Sequence, residues 1–407
     1  MASSKRAQLG TIFLTILIDM IGFGIVIPVL PLYAEHYHAT PEQNGLLVAI
    51  FSLAQFICAP LWGKLSDRIG RKPVLFISIS ATAVGFILMG VARDLTLLFL
   101  ARALAGAAGG NIGTAQAYIA DISAPEERAK RMGLIGAAIG VGFMFGPAIG
   151  GWVGHYSYQA PMFVAAGLAI INVVLVILTL PESLPKERRG VQKRSSVFEV
   201  LEHCDRRVYL SVTSAYFLLT TGFSLMTFVY ALFMAHRFNI GPGGTGNLLA
   251  LVGFVGVLIQ GGLIGRLVKR AGEARLATVG AVVLAVSLFA MPLASGMGTV
   301  ILASIGLAIG NSLIMPTLTS LASRSVDSHW QGRGLGLVQS GGALARWVGP
   351  AIGGWLLAMD IGHAKDLYAR TPLWAGAIFA AAAIIFTLML PREAVAAPVT
   401  ADEPSAV

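Results

Sequence analysis

Gly146-Pro-Ala-Ile-Gly-Gly-Trp152 returns unchanged as Gly349-Pro-Ala-Ile-Gly-Gly-Trp355, 203 residues further along a chain of 407. A repeat at half the chain length reads as two copies of one unit. The register extends beyond the heptapeptide. Gly63-Lys-Leu-Ser-Asp-Arg-Ile-Gly70 aligns with Gly265-Arg-Leu-Val-Lys-Arg-Ala-Gly272 at an offset of 202. Both copies lie in apolar sequence. The chain is 56% hydrophobic and 12% charged, against about 25% charged residues in soluble domains. A soluble protein could not bury that much apolar surface, so lipid is the solvent for most of it.

Apolar runs of about 20 residues, the length that crosses a bilayer, divide the chain into twelve spans: 8–32, 43–62, 73–92, 95–120, 131–154, 161–181, 208–235, 244–265, 276–293, 297–322, 334–358 and 372–391. The net charge of +9 then sorts by side: 23 of the 29 Lys and Arg fall on the side of both termini. The other side carries Arg93, Arg237, Lys365 and Arg370, and Arg102 and Arg346 lie inside spans. Positive residues stay cytoplasmic, so both termini are expected inside. The basic balance is a topology signal with some attraction for anionic lipid, not a nucleic-acid footprint. Cys58 falls in span 2 and Cys204 in the polar linker, so two free thiols are expected. The first apolar run contains Asp19 and continues into Pro28 and Pro31, which reads as a retained helix rather than a cleaved signal.

The expected fold is an all-α polytopic membrane protein of twelve transmembrane helices in two pseudo-symmetric six-helix bundles. The bundles are 1–181 and 208–391, joined by a cytoplasmic linker, 182–207, and followed by a disordered cytoplasmic tail, 392–407. A short helix over Val197–Leu201 is expected to lie on the membrane face. The remaining loops are short and leave no room for a soluble catalytic domain. No phosphate-binding Gly-x-x-x-x-Gly-Lys-Ser/Thr occurs, so ATP is not the fuel. No metal site and no nucleophile–base pair stand out, which argues against an enzyme.

Three stretches carry mechanism. In Gly63-Lys-Leu-Ser-Asp-Arg-Ile-Gly-Arg-Lys-Pro73, glycines at 63 and 70 allow a tight turn. Asp67 can face the positive N-terminal end of span 11, beside Arg68, and Arg71 can pair with Asp121. A solvated loop that only fixes topology is the alternative. In span 5, Gly133, Gly136, Gly140, Gly142, Gly146, Gly150, Gly151 and Gly154 make a flat face for close helix approach, and Pro147 bends the helix; plain packing is the alternative. In span 1, Asp19 lies near mid-membrane, where a charge costs about 2.5–3.5 kcal/mol, so it must face a cavity or a partner. Counting about 1.5 Å per residue, its depth comes within some 6 Å of that of Arg102, the named partner. A permanent structural ion pair is the alternative to a proton carrier. Arg346 is the one deep charge of the second half, placed either to attract an anionic group or to snorkel. Gln55, Gln116, Gln260 and Asn311, with Tyr216, Phe223, Phe228 and Tyr230, are further candidates for a substrate cavity or for packing.

Gly-x-Leu-x-Asp-Arg-x-Gly-Arg-Lys resembles the signature loop of the major facilitator superfamily, and two halves of like orientation match its arrangement. Gly146-Pro-x-x-Gly-Gly is similar to the span 5 motif of its proton antiporters, and Arg102-x-x-x-Gly106-x-x-x-Gly110 to its span 4 motif. From about Leu14 to Leu180 the chain resembles the tetracycline efflux proteins of the drug:proton antiporter branch, with Asp19, Arg102 and Asp121 in matching positions. Gln260 also matches, whereas Gly256 stands where that group carries a membrane histidine. The resemblance implies a monomeric, proton-coupled exporter of small amphipathic molecules working by alternating access in a bacterial inner membrane, with the proton as coupling ion and no cofactor. A uniporter or symporter of a lipid or metabolite, and a non-transporting receptor or scaffold, stay open on the residues alone.

Overall fold

The computed structural model describes residues 2–123, 125–190, 197–327 and 330–391; the tail expected over 392–407 lies outside them. Apart from an isolated bridge between Cys204 and Val326, the described residues form helices and short connections. Eleven helical stretches are long and apolar enough to cross a membrane. The twelfth expected span is the 30-residue helix Gln331–Asp360, whose many glycines and two arginines lower its hydropathy.

In the first half, α1 (Ala2–Val26) and α2 (Leu30–His36) together make span 1, interrupted by the turn at Pro28. The chain continues through α3 (Pro41–Ile69), α4 (Arg71–Gly90), α5 (Leu95–Ala108), α6 (Asn111–Ile122), α7 (Pro125–Gly154) and α8 (Ala160–Thr179). The second half holds α9 (Arg206–Phe238), α10 (Pro242–Leu258), a π-helical turn (Ile259–Leu263), α11 (Ile264–Ala271), α12 (Glu273–Ala290), α13 (Met297–Arg324), α14 (Gln331–Asp360) and α15 (Arg370–Leu388). Local chemistry sets several starts. Thr40 and Gln43 close a capping box before α3, Asp94 caps α5 and Asp205 caps α9.

Three expectations change. The signature stretch is not a loop from Gly63 to Gly70. Helix α3 runs through Gly63 and stops only at Gly70, whose φ of +111° makes the turn. Span 4 is two helices, α5 and α6, separated at Gly109–Gly110. The segment Val197–Glu202 is a 3-10 helix, and Val200 is fully buried in the core of the second half rather than resting on the membrane face. The antiparallel bridge to Val326, with Asp205 N–H bonded to the Ser325 carbonyl, draws it in.

The end of the bundle where α1 begins and α15 ends, which carries most of the Lys and Arg among the described residues, is the basic end; the opposite end is the far end. Leu32 of α2 packs into the core of the second half, so the halves share a core near the far end.

Candidate functional site

The repeated heptapeptide lies on α7 and α14 and does two jobs in each copy. Gly146 and Gly150 press on α1: a Cβ at Gly146 would stand 2.7 Å from the Gly24 Cα, and one at Gly150 would meet the Ile25 backbone. Gly349 and Gly353 press likewise on α9, against Thr221 O and Phe228. The next glycine turns to the other half. Gly151 lies against Gly246 of α10, and Gly354 against Gly45 of α3. Cβ atoms on Gly246 and Gly45 would stand 2.9 and 2.8 Å from the facing glycine Cα atoms and would meet the carbonyls of Pro147 and Pro350. Pro41-x-x-x-Gly45 and Pro242-x-x-x-Gly246 thus receive the two copies reciprocally. Without side chains, the backbones approach to contact, which is how helices associate in lipid.

These two seams hold only at the far end. Along α7 and α10 the contact continues through Met144 and Gly253 to Gly140, whose added Cβ would lie 3.7 Å from Val257. One turn further in the same antiparallel register stand Gly136 and Gly261, and neither has anything within 4 Å of its Cβ position. The π-helical turn begins there, at Ile259, and Gln260 on it is exposed. In the other seam, Gly63 and Gly336 are equally open. Side-chain bonds follow the same pattern. Trp152 Nε1 donates to Asn247 Oδ1 at 2.7 Å, and His236 Nε2 lies 3.0 Å from both Glu35 oxygens. Both join the two halves at the far end. The halves are therefore closed there and parted toward the basic end.

At mid-depth, Asp19 is half-buried and does not meet Arg102. Its Oδ1 accepts from Asn111 Nδ2 at 2.8 Å. Arg102 is buried, 4% exposed, with its guanidinium over Phe51 (4.3 Å) and Phe23 (5.8 Å); stacking on aromatic faces is one way an arginine is held without a carboxylate. Arg102 and Asn111 are nine residues apart on span 4, and it is Asn111, past the break, that comes level with Asp19, while Arg102 reaches Phe23, one turn beyond Asp19 toward the far end. Asn111 is the first residue of α6, just past the break, and the sequence reading did not single it out. The double glycine was its only signal. The break leaves carbonyls without helical partners, and α3 supplies them: Gln55 Nε2 donates to Gly109 O at 2.8 Å, and Trp62 Nε1 to Ala107 O at 2.6 Å. Only glycine fits at 110, where a Cβ would stand 2.5 Å from the Trp62 ring.

At the basic end, Arg71 is buried and gathers Asp67 (2.6 Å), Asp121 (3.1 Å) and Ser66. In this conformation Asp67 is held by its own half, through Arg71, rather than by the start of α14; Arg68 is exposed. The linker completes the cluster. Glu182 caps α4 by accepting from the Arg71 and Lys72 amides at 2.9 and 3.2 Å, where a negative charge suits a helix N-terminus. Ser183 donates to Asp121.

In the second half, the Arg346 region includes Tyr216, which packs on Gly342 and bonds Gln339. Asn311 and Phe223 are half-buried and Gln116 is exposed. Phe228 and Tyr230 depart from the cavity expectation. Each is 1% exposed in the core of the second half, and Tyr230 bonds Ser304. Helix α9 is wrapped by neighbours on several sides, so its aromatics face protein. Among the described residues no group of His, Cys, Asp and Glu could hold a metal.

The chain is 31% identical over 368 residues to multidrug resistance protein 2 of Bacillus subtilis (strain 168), covering 88% of this chain and 92% of that protein. It is 32% identical over 348 residues to the class C tetracycline resistance protein of Escherichia coli, covering 83% and 86%. Its fold matches a bacterial homologue of the human lysosomal transporter Spinster, solved in an inward-facing, unoccupied conformation, with a TM-score of 0.77 at 15% identity over 94% of this chain and 96% of the other. The Major Facilitator Superfamily profile matches residues 12–346 and 212–406. A twelve-span bundle with two reciprocal seams, similar along most of its length to transporters, is a transporter and not an enzyme, and the chain belongs to the Major Facilitator Superfamily.

Proposed function

We propose that this protein exports small amphipathic, drug-like molecules in exchange for protons, by alternating access between the two halves, in a bacterial inner membrane with both termini in the cytoplasm. On that orientation the basic end is the cytoplasmic face, and the present conformation is open inward. The observation that carries the reading is Asp19: a carboxylate at mid-depth, half-buried, held by one neutral amide and not by a cation. Such a group can change charge during a cycle, whereas a carboxylate locked to an arginine would stay ionised. The names of the relatives, which speak of multidrug and tetracycline resistance, support an amphipathic cargo.

The test uses the full chain in sealed vesicles with a fluorescent amphipathic dye. An imposed pH gradient should drive dye accumulation, and dissipating it should stop accumulation. Asp19→Asn should abolish the gradient-driven flux. Gradient-driven flux at the unaltered rate in Asp19→Asn would remove Asp19 from the coupling, and dye movement indifferent to the gradient would remove the proton.

A further inference from the structure

Helix α6 is a twelve-residue rod with a polar attachment at each end. At mid-membrane, Asn111, its first residue, donates to Asp19. At the basic end, Asp121 accepts from Arg71 Nε, and Arg71 also bonds Asp67 of the signature stretch. The Gly109–Gly110 break separates the rod from α5, so α6 can tilt without carrying the rest of span 4 with it.

The upper attachment is sensitive to a proton. Asn111 is 3% exposed, and its Oδ1 has no hydrogen-bond partner. An ionised Asp19 offers only acceptors, so it can satisfy Nδ2 but never Oδ1. A protonated Asp19 offers an O–H, and an acid and an amide can then form two bonds where there was one. The same proton removes the attraction of the carboxylate charge for the start of α6. The two charge states of Asp19 therefore hold the rod differently.

We propose that Asn111 is the positioning residue through which protonation of Asp19 is passed along α6 to the Asp121–Arg71–Asp67 cluster, and so to opening and closure at the basic end. The proposal rests on the reading that Asp19 carries the proton. A rigid helix with distinct attachments at both ends is a physical route for such coupling.

The test uses the full chain carrying Cys58→Ser and Cys204→Ser, with spin labels on Lys64→Cys and Lys269→Cys, one in each half at the basic end. Label separation is measured by pulsed electron resonance from mildly acid to mildly alkaline pH. Carbodiimide modification of Asp19, read by mass spectrometry, reports its protonation over the same range. The separation should change with pH in the parent, lose that change in Asn111→Leu, and regain it in part in Asn111→Gln, while Asp19 modification stays pH-dependent in all three. If Asn111→Leu does not fold, Asn111→Ala carries the same expectation. A full pH-driven change in the leucine or alanine variant would overturn the role of Asn111 and leave Asp19 as proton carrier. A parent-like change in Asp19→Asn would instead overturn the proton reading itself.

Discussion

Gly150 and Gly136 lie on the same helix, and an added methyl group meets opposite surroundings at each. At Gly150 it runs into the Ile25 backbone; at Gly136 nothing lies within 4 Å. Backbone in α1 cannot yield as a side chain can, so Gly150→Ala should destabilise the protein by about 1–3 kcal/mol. Gly136→Ala should be neutral, or stabilising by up to about 1 kcal/mol, because alanine is the better helix former. Thermal unfolding of the two variants in detergent checks the pair. The glycine stripe in the sequence did not separate them, since spacing marks a face but not what fills it. Cys204 makes a second residue-scale case. Burial pushes its thiol above the ordinary value, with Asp205 and Asp327 adding to the shift and Arg206 opposing it. The thiolate is the nucleophile, so a raised thiol is less ionised at a given pH. In a Cys58→Ser background, alkylation of Cys204 should reach half its limiting rate at a more alkaline pH than a free model thiol, as mass spectrometry can follow.

At the scale of the element, the closed seams are helix pairs: α7 with α10, and α14 with α3. Each pair is a Gly-Pro-x-x-Gly-Gly copy against a Pro-x-x-x-Gly start. Gly45→Val and Gly246→Val put a branched side chain against the carbonyls of Pro350 and Pro147. The cheapest relief is for the two halves to part. Either substitution should raise the modification rate of a cysteine placed at Asn44 or Thr245, each buried beside one of the two glycines, and a rate unchanged in both would show that the seams can absorb the volume. The repeat itself was plain in the sequence, and so were the span count and the sidedness of charge, because all three depend on order and composition alone. The receiving Pro-x-x-x-Gly starts were equally present but silent, because a sequence does not say which helix faces which. The break between α5 and α6 was hidden for a related reason. Hydropathy registers the length of an apolar run, and 95–120 has the right length whether or not its backbone is continuous. The Asp19–Arg102 pairing was not met because a residue count does not locate the break that sets Asn111 against Asp19, whereas Arg71 and Asp121, both near helix ends at one surface, had fewer directions to choose from.

For the whole molecule, the proposed cycle balances this conformation against one closed at the basic end. Among the described residues, Trp152–Asn247 and His236–Glu35 join the halves at the far end, with Tyr368 also against the Glu35 carboxylate, and the His236–Glu35 link is titratable. The His236 ring also leans on Tyr368, 4.5 Å between centroids, and Lys365, Arg237 and Asp366 share the same end of the second half. Glu35 belongs to the first half, so the link breaks whenever the far end opens. A neutral imidazole can donate one hydrogen bond to the carboxylate; a charged one adds the attraction of an ion pair to that bond. Both side chains are partly exposed, so the link is worth at most about 1 kcal/mol, or about a fivefold change in the balance. Acidifying the far side alone should therefore favour closure there by up to that factor. Spin labels on either side of the far-end seam, in proteoliposomes with acid on one face, give the reading. The parent should shift toward the closed distance on acidification. His236→Gln, which can still donate to Glu35 but cannot gain a charge, should hold its pH-independent bond and lose the shift, and Glu35→Gln should lose it as well. If His236→Gln kept the full shift, the acid response would have to arise elsewhere. Asp19 is then the group to examine, because on the proposed cycle its proton would reach α6 from the interior rather than from the rim.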